Sequence, residues 1–384
     1  MRLPARPVAR RRGCADRGGR RLIERGRVAF ALALAASACS LTDPFDTNFE
    51  AVEDAVLYRA AAPKPAPTAV TELLVMTYNI EFAGARLRFF YECNGDRGLM
   101  TEDEVHRHLE GLAAKINQVD PDILLLQEAD VEAKRSAYVD EVQWLLDHTS
   151  FNYGAYASQW KADFVPSDGL GRIDSGNAIL SRYPIDHAER LALALSKEDG
   201  AATRYFYLKR NILRARVELP EAADLWLANM HAEAFSKDDI RVEHIRTFGS
   251  VMTELADQGY WVVGGGDFNT VPPASTQVAG FADDCSDARF ENDDYTGEEH
   301  YLDALYASFQ EAIPLGDYAD DNTPYFSFTG DAAVGWNRRL DYLFTSGTFD
   351  PGSGLVHQSE ARGGFDTLPL SDHAPVSARL TVQR

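Results

Sequence analysis

The sequence predicts an α/β protein in which buried sheets are covered by helices, and three observations carry that reading. Short runs rich in Val, Ile, Leu and aromatic residues alternate with amphipathic stretches at helical spacing. One of those runs, Asp122 to Gln127, is too short and too continuously apolar for a helix, as expected of a strand buried on both faces. With 384 residues, 45% hydrophobic and 11% aromatic, the chain has a core for one large α/β domain or two ordinary ones, and disorder throughout is excluded.

In chain order, Arg2 to Arg27 holds ten Arg against only Asp16 and Glu24, and is followed by the 11-residue apolar run Val28 to Ala38. A basic segment before an apolar run too short to span a bilayer predicts a signal peptide over residues 1–38. Small residues Ala36-Ser37-Ala38 directly before Cys39 resemble a bacterial lipoprotein signal, while Ala36 in place of the commoner Leu keeps plain signal-peptidase cleavage open. Ser40 rather than Asp after a lipidated Cys39 points to the outer membrane, on its periplasmic or surface face. Removing the leader takes away ten bases and two acids and deepens the formal charge from -21 to -29. Such a chain does not hold nucleic acid by bulk charge, because non-specific affinity comes from Lys and Arg displacing phosphate counterions. A nuclease with a small local basic site is still compatible with it.

Residues 39–70 lack periodicity and contain Ala60-Ala61-Ala62-Pro63-Lys64-Pro65-Ala66-Pro67, which reads as a semi-extended Pro/Ala-rich tether. No linker or repeat interrupts residues 71–384, which are expected to form one domain. Its predicted strands are Leu73–Asn79, Ile123–Gln127, Asn177–Leu180, Tyr205–Leu219, Leu225–Met230, Trp261–Gly265, Arg339–Phe344 and Val376–Thr381. Helices are predicted over Glu104–Gln118, with Val105, Leu109, Leu112 and Ile116 on one face, and over Asp239–Asp257. Two long insertions stand out. Phe82 to Asp103 carries Phe89, Phe90 and Tyr91, expected to pack inward by default, and Asp283 to Asp303 carries nine acids, which reads as a solvated loop. Cys93 and Cys285 are the two cysteines left after the leader; in an oxidising compartment, and with no ligands at metal spacing, a disulfide is favoured over two free thiols.

Polar residues fall at the ends of the apolar runs: Asn79, Glu128, His231, Asp267 with Asn269, and Asp341. One of them alone reads as a cap or turn residue. Five strand ends together point to a ligand crevice, which in packed sheet enzymes lies at such ends. Gly264-Gly265-Gly266 lacks the Gly-Lys-Ser/Thr of a phosphate loop and reads as a close backbone approach. Among Arg204, Lys209, Arg210, Arg214 and Arg216 a surface ladder is the first reading, and a phosphate-facing role for part of the set is the second.

Met76-Thr77-Tyr78-Asn79, Asp122 to Glu128, Gly176 to Arg182, Gly266-Asp267-Phe268-Asn269, Arg339-Leu340-Asp341-Tyr342 and Leu370-Ser371-Asp372-His373 together resemble the endonuclease/exonuclease/phosphatase superfamily with its DNase I-like fold. Six blocks in order over nearly all of residues 71–384 carry the resemblance. It implies a four-layer α/β/β/α sandwich of two mixed β-sheets flanked by helices, and metal-assisted phosphoester hydrolysis. Members include DNA endonucleases, sphingomyelinases and inositol-phosphate phosphatases. The resemblance makes Glu128 a metal ligand, with Asn79 beside it and Asp372 completing the shell directly or through water. Mg²⁺ is the expected ion, with Mn²⁺ or Ca²⁺ as alternatives. His373 would be the base or the phosphate-polarising imidazole, held by Asp341. Asp267 would orient the attacking water or protonate the leaving group, and Asn269 would bond a phosphate oxygen. His231 occupies the place where the DNase and sphingomyelinase branches carry a catalytic His, whereas His106, His108, His187, His244, His300 and His357 are read as solvated or structural.

The expectation is therefore an exported, membrane-tethered, monomeric metal-dependent phosphoester hydrolase acting on a phosphodiester or phosphorylated small molecule, phospholipid headgroups included. A secreted DNA/RNA endonuclease is the alternative within enzymes, and a catalytically silent binding module the alternative of another class.

Overall fold

The computed structural model describes residues 43–382 except 66, 198, 222, 223 and 235–237. The signal peptide and Cys39 lie outside the described residues, within which no helix is long and apolar enough to cross a membrane.

Two seven-stranded mixed sheets form the body. Numbered in chain order, the first contains β1 (Val52–Asp54), β7 (Ile185–Ala192), β8 (Asn211–Val217), β9 (Leu225–His231), β10 (Trp261–Asp267), β12 (Asp341–Thr345) and β11 (Gln310–Glu311), in that spatial order. The second runs β13 (Leu355–Val356), β14 (Val376–Thr381), β3 (Glu72–Asn79), β4 (Ile123–Asp130), β6 (Gly171–Ser181), β5 (Tyr153–Val165) and β2 (Val56–Arg59). Only β9/β10 and β3/β4 pair in parallel among these strands.

The continuously apolar strands explain the layering. In β4, Ile123 and Leu125 enter the core between the sheets, while Leu124 and Leu126 face helices Glu102–Val119 and Glu141–His148 on the other side. In β9, Leu225 and Leu227 enter the same central core, and Trp226, Ala228 and Met230 face helix Ile240–Asp257. A strand dry on both faces needs a layer on each side, so helix, sheet, sheet and helix stack in the expected order. Helix Glu102–Val119 starts at a capping box in which Thr101 accepts from the Glu104 N–H and Glu104 from the Thr101 N–H, and ends at left-handed Asp120.

Three sequence expectations change. The domain does not begin at residue 71: β1 pairs with β7 and β2 with β5, so part of the stretch read as tether closes one edge of each sheet, and the compact unit starts at Phe45. Three- and four-residue strands are too short to leave a periodic signal. Tyr205–Leu219 is not one strand. Ala201–Phe206 is a helix and only Asn211–Val217 is extended, because Phe206 packs on Phe45 and its carbonyl accepts from the Trp160 indole. Nor is the acidic insertion merely solvated, since Asp283 and Asp293 grip Arg338 at 2.9 and 2.6 Å.

Candidate active site

Strand register places three of the expected residues in a row. Asp267, last in β10, lies opposite His231 on parallel β9 and opposite Asp341 on antiparallel β12. Gly266, at φ 137°, allows this row: a Cβ there would lie 1.8 Å from the Met230 carbonyl oxygen, so the close approach read in the triple glycine is real. The second sheet contributes Asn79 at the end of β3 and Glu128 at a bulge of β4, where its φ of 57° turns the carboxylate out of the ladder. A buried amide pair fixes the two sheets to each other just beneath. Gln127 Nε2 donates to Asn229 Oδ1 at 2.7 Å, and Asn229 Nδ2 donates to the carbonyls of Leu126 and Ala178 at 2.7 and 2.9 Å.

His373 occupies the centre. Its Nδ1 lies 2.8 Å from Asp341 Oδ2, which also accepts from the Ser327 hydroxyl at 2.6 Å, and its Nε2 lies 3.4 Å from Asp267 Oδ2. Burial opposes the charge on this imidazole, but Asp341, Asp267 and Asp372 outweigh it and hold the pKa up to about 10. His231 goes the other way: burial, Arg210 and the neighbouring His373 hold it well below the ordinary range, with Nε2 3.5 Å from the same Asp267 oxygen. One imidazolium and one neutral imidazole thus flank a single carboxylate. Burial raises the pKa of Asp267, with His373 opposing and Asp341 adding to the rise.

Asp267, Asp341 and His373 lie close enough together for a metal, but Nδ1 of the imidazole is hydrogen-bonded to Asp341 and Nε2 faces Asp267 at 3.4 Å, so the group reads as a carboxylate–imidazole relay. The acid-rich side lies around Glu128, Asp372 and Glu81. Glu81 Oε2 accepts the Asp372 N–H at 3.4 Å, and Asp372 raises the carboxyl pKa of both Glu81 and Glu128, in each case after burial. Carboxylate oxygens are the donors a hard divalent ion takes, so the chemistry of Glu128, Asp372 and Glu81 fits one, although among the described residues only Asp267, Asp341 and His373 bring three ligand atoms within 4.8 Å of one another. Glu81 was not anticipated from sequence. Its signal was its place two residues after Asn79, but its direction depends on a left-handed backbone at φ 49° that no pattern announces.

Two expected residues are present but turned. Asn79 lies beside Glu128, yet its Oδ1 accepts from the Glu81 N–H at 3.1 Å. Its Nδ2 instead donates to Glu128 at 3.2 Å and Asp267 at 3.1 Å, so it joins the two carboxylates as a donor instead of offering oxygen to a metal. Asn269 directs Nδ2 to the Ala232 carbonyl at 3.1 Å, while its backbone N–H holds Asp267 Oδ1 at 2.9 Å; it braces the loop after His231 rather than pointing its amide at substrate.

The basic group divides. Arg214 and Arg216 pair with Glu189 and Asp186 as a ladder. Arg210, 5% exposed, adds its charge at His231 and Glu128, and its Nε has no hydrogen-bond partner among the described residues. His231 Nδ1, with Glu128 Oε1 3.9 Å away, and Asp341 Oδ1 are likewise buried without a hydrogen bond there. Phe89 is buried in the helix-side core as expected, whereas Tyr91 is 42% exposed. Of the other histidines, His108, His244 and His357 bond Ala83 O, Ala194 O and Ser377 Oγ and are structural.

A family model described as the Endonuclease/Exonuclease/phosphatase family matches residues 76–373. No curated protein matches the sequence. Among solved structures, an endonuclease/exonuclease/phosphatase from Beutenbergia cavernae is 18% identical, with a TM-score of 0.51 over 82% of this chain and 72% of that one. A protein of the same family from Bacteroides thetaiotaomicron is 17% identical, with a TM-score of 0.50 over 82% of this chain and 98% of its own. At these identities the likeness is one of fold.

Proposed function

This chain belongs to the endonuclease/exonuclease/phosphatase family, whose members are phosphoester hydrolases, and on that footing we propose that it is an exported, divalent-metal-dependent hydrolase of phosphodiesters or phosphorylated small molecules. The observation that supports this most is the pair of oppositely tuned histidines around Asp267, set beside a carboxylate cluster and the half-partnered Arg210. Groups whose surroundings push their proton affinities apart divide donor from acceptor roles.

Glu128, Asp372 and Glu81 would hold Mg²⁺, or Mn²⁺ or Ca²⁺ in its place, which supplies neutralising charge for the phosphate oxygens. Asp267, kept proton-avid by burial, takes the proton of the attacking water. His373, cationic through Asp341, donates from Nε2 to a phosphate oxygen as charge grows there. Neutral His231 and the Nε of Arg210 contact the remaining oxygens, and Asn79 and Asn269 hold Asp267 in register between them. Export through residues 1–38 and a lipid on Cys39 would place this chemistry at the outer membrane.

The test assays the full mature chain with Mg²⁺, Mn²⁺ or Ca²⁺ on bis(p-nitrophenyl) phosphate, sphingomyelin, plasmid DNA and RNA, beside His373→Ala and Glu128→Gln. Metal-dependent turnover that both variants lose is the expected result, and the preferred substrate then separates lipid or small-molecule hydrolase from nuclease. A folded, metal-binding protein inert on all of them would instead support a silent binding module. Membrane tethering is checked by Cys39→Ser, which should move the protein from the membrane to the soluble fraction.

A further inference from the structure

The compact unit begins at Phe45, and it begins on an aromatic cluster. The Phe45 carbonyl accepts from Asp163 N–H at 2.7 Å, and its ring lies 5.6 Å from that of Phe206 and 6.5 Å from that of Phe164. Tyr205 meets Phe206 edge-on at 4.8 Å, and Tyr207 meets the Trp160 indole at 5.4 Å. One ring at a surface is ordinary, but these adjoin. Phe164 is 52% exposed and Tyr207 45%, and no other phenylalanine among the described residues is so exposed as Phe164. The acids bordering Phe45 and Phe164 have cationic partners, Asp46 in Lys161 at 3.0 Å and Asp163 in Arg172 at 3.2 Å.

The same cluster leads into the active site. Trp160 is tied to the Phe206 carbonyl at 2.8 Å, and one residue earlier the Gln159 carbonyl accepts from Lys209 N–H at 2.6 Å while its side-chain oxygen accepts from Arg210 Nη1 at 3.4 Å. The pairing of Ile212 with Met230, continued by one residue, sets Asn211 beside His231 with Arg210 next along the chain. Only Leu208 and Lys209 therefore separate exposed Tyr207 from the arginine whose Nε lacks a hydrogen bond. In the other direction along the chain, Ser40 to Pro44 are all that lies between Cys39 and Phe45. Fully extended, that stretch reaches no more than about 20 Å. A lipid on Cys39 would keep the Phe45 face close to the bilayer, where a tether running to residue 70 would have let the domain stand off and turn.

We infer that the patch of Phe164, Tyr205, Phe206 and Tyr207 rests on the bilayer that anchors Cys39, and that the active site beside it takes its phosphoester from the zwitterionic phospholipid headgroups there. This rests on the function and the lipid anchor proposed above. Aromatic side chains with a polar edge settle at headgroup level. Anionic lipid would repel a mature chain of formal charge -29, so the surface that fits is zwitterionic. In the reaction, water adds to the headgroup phosphorus, the bond from phosphorus to the leaving oxygen breaks, and that oxygen takes the proton the water gave up.

Hydrogen exchange of the full lipidated chain on vesicles of phosphatidylcholine and phosphatidylethanolamine tests the contact without reference to turnover. Amides of 164–169 and 201–208 should exchange roughly tenfold more slowly than in the soluble Cys39→Ser chain, while 352–354, beside the opposite edge strand β13, stay unchanged. Phe164→Ser/Tyr207→Ser should slow hydrolysis of the vesicle lipid roughly tenfold and leave bis(p-nitrophenyl) phosphate turnover as it was, since apolar contact area is lost away from the reacting groups. Should that variant fail to fold, exchange in the wild type decides alone. An unprotected patch on vesicles, an equal loss on both substrates, or a Cys39 that carries no lipid would overturn the inference. So would protection that grows with protein concentration without vesicles, which assigns the patch to a second copy of the chain. Cleavage of the soluble ester but never of lipid removes the substrate assignment; a protected patch with no turnover of either keeps the membrane contact and removes the hydrolase reading.

Discussion

Arg135 and Arg210 are both buried arginines, and they could hardly be housed more differently. Arg135 gives Nε and Nη2 to the two oxygens of Asp130 at 2.9 Å, bonds Ser175 at 3.1 Å and lies 3.7 Å over the ring of Phe82. Arg210 Nη1 reaches Gln159 at 3.4 Å, and its Nε makes no hydrogen bond, its nearest carboxylate being Glu233 at 3.9 Å. A buried cation clamped by both oxygens of a buried carboxylate is a structural device, whereas one whose Nε makes no hydrogen bond beside neutral His231 and Glu128 has a place for an anion. The same division separates the filled Gln127–Asn229 pair from the open Asp341 Oδ1 and His231 Nδ1.

The comparison can be broken at several points. The largest effect should come from His373→Ala, which lowers kcat on the order of 10³-fold. Its urea midpoint should move much less than its rate; a collapse of the midpoint would make His373 a structural residue. Asp130→Ala should do the reverse, leaving a buried guanidinium unpaired at a cost of about 3–5 kcal/mol in unfolding free energy. Chemical denaturation measures this, and a change under about 1 kcal/mol would end the claim that Arg135 depends on its partner. Arg210→Met should reduce kcat/KM on the order of 10²-fold while stability stays within about 1 kcal/mol, because a long apolar side chain replaces a weakly bonded one. Equal activity in that variant would return Arg210 to the ladder with Arg214 and Arg216.

The smallest effect is on pH dependence. The pKa of His373 is raised from 6.5 to about 10, so its contribution to stability is complete below 6.5 and is lost as pH rises through about 10. Asp341→Asn removes the principal cause of the rise, and should flatten the fall in stability across that interval. An unchanged slope would mean that Asp341 does not hold the imidazolium.

The site was legible in sequence where a polar residue bounded an apolar run. Asn79, His231 and Asp267 end their strands, Asp341 opens β12 opposite Asp267 and Glu128 lies at the bulge of β4, so the pattern of polar residues bounding apolar runs gathered them at one end of the sheets. What could not be read was direction. Asn79 and Asn269 turn their amides away from the expected targets because Glu81 N–H and the Ala232 carbonyl claim them, and both partners are set by chain turns after the strands. Arg210 separates from Arg214 and Arg216 because β8 begins at Asn211, leaving Arg210 just before the strand, where its charge acts on His231. The Tyr205–Tyr207 aromatics favour extension by composition, but contacts with Phe45 and Trp160 outweigh that preference.

The two shortest N-terminal strands set an order of opening. With only Ala55 between them, β1 and β2 lie at an outer edge of different sheets, while β3, β4, β9 and β10, which carry the site, are interior in strand order. Native-state hydrogen exchange should therefore begin at 52–59 with little protection, and reach the amides beneath Asn79, Glu128, His231 and Asp267 only near global unfolding. Fraying of this chain would start where no chemistry is done.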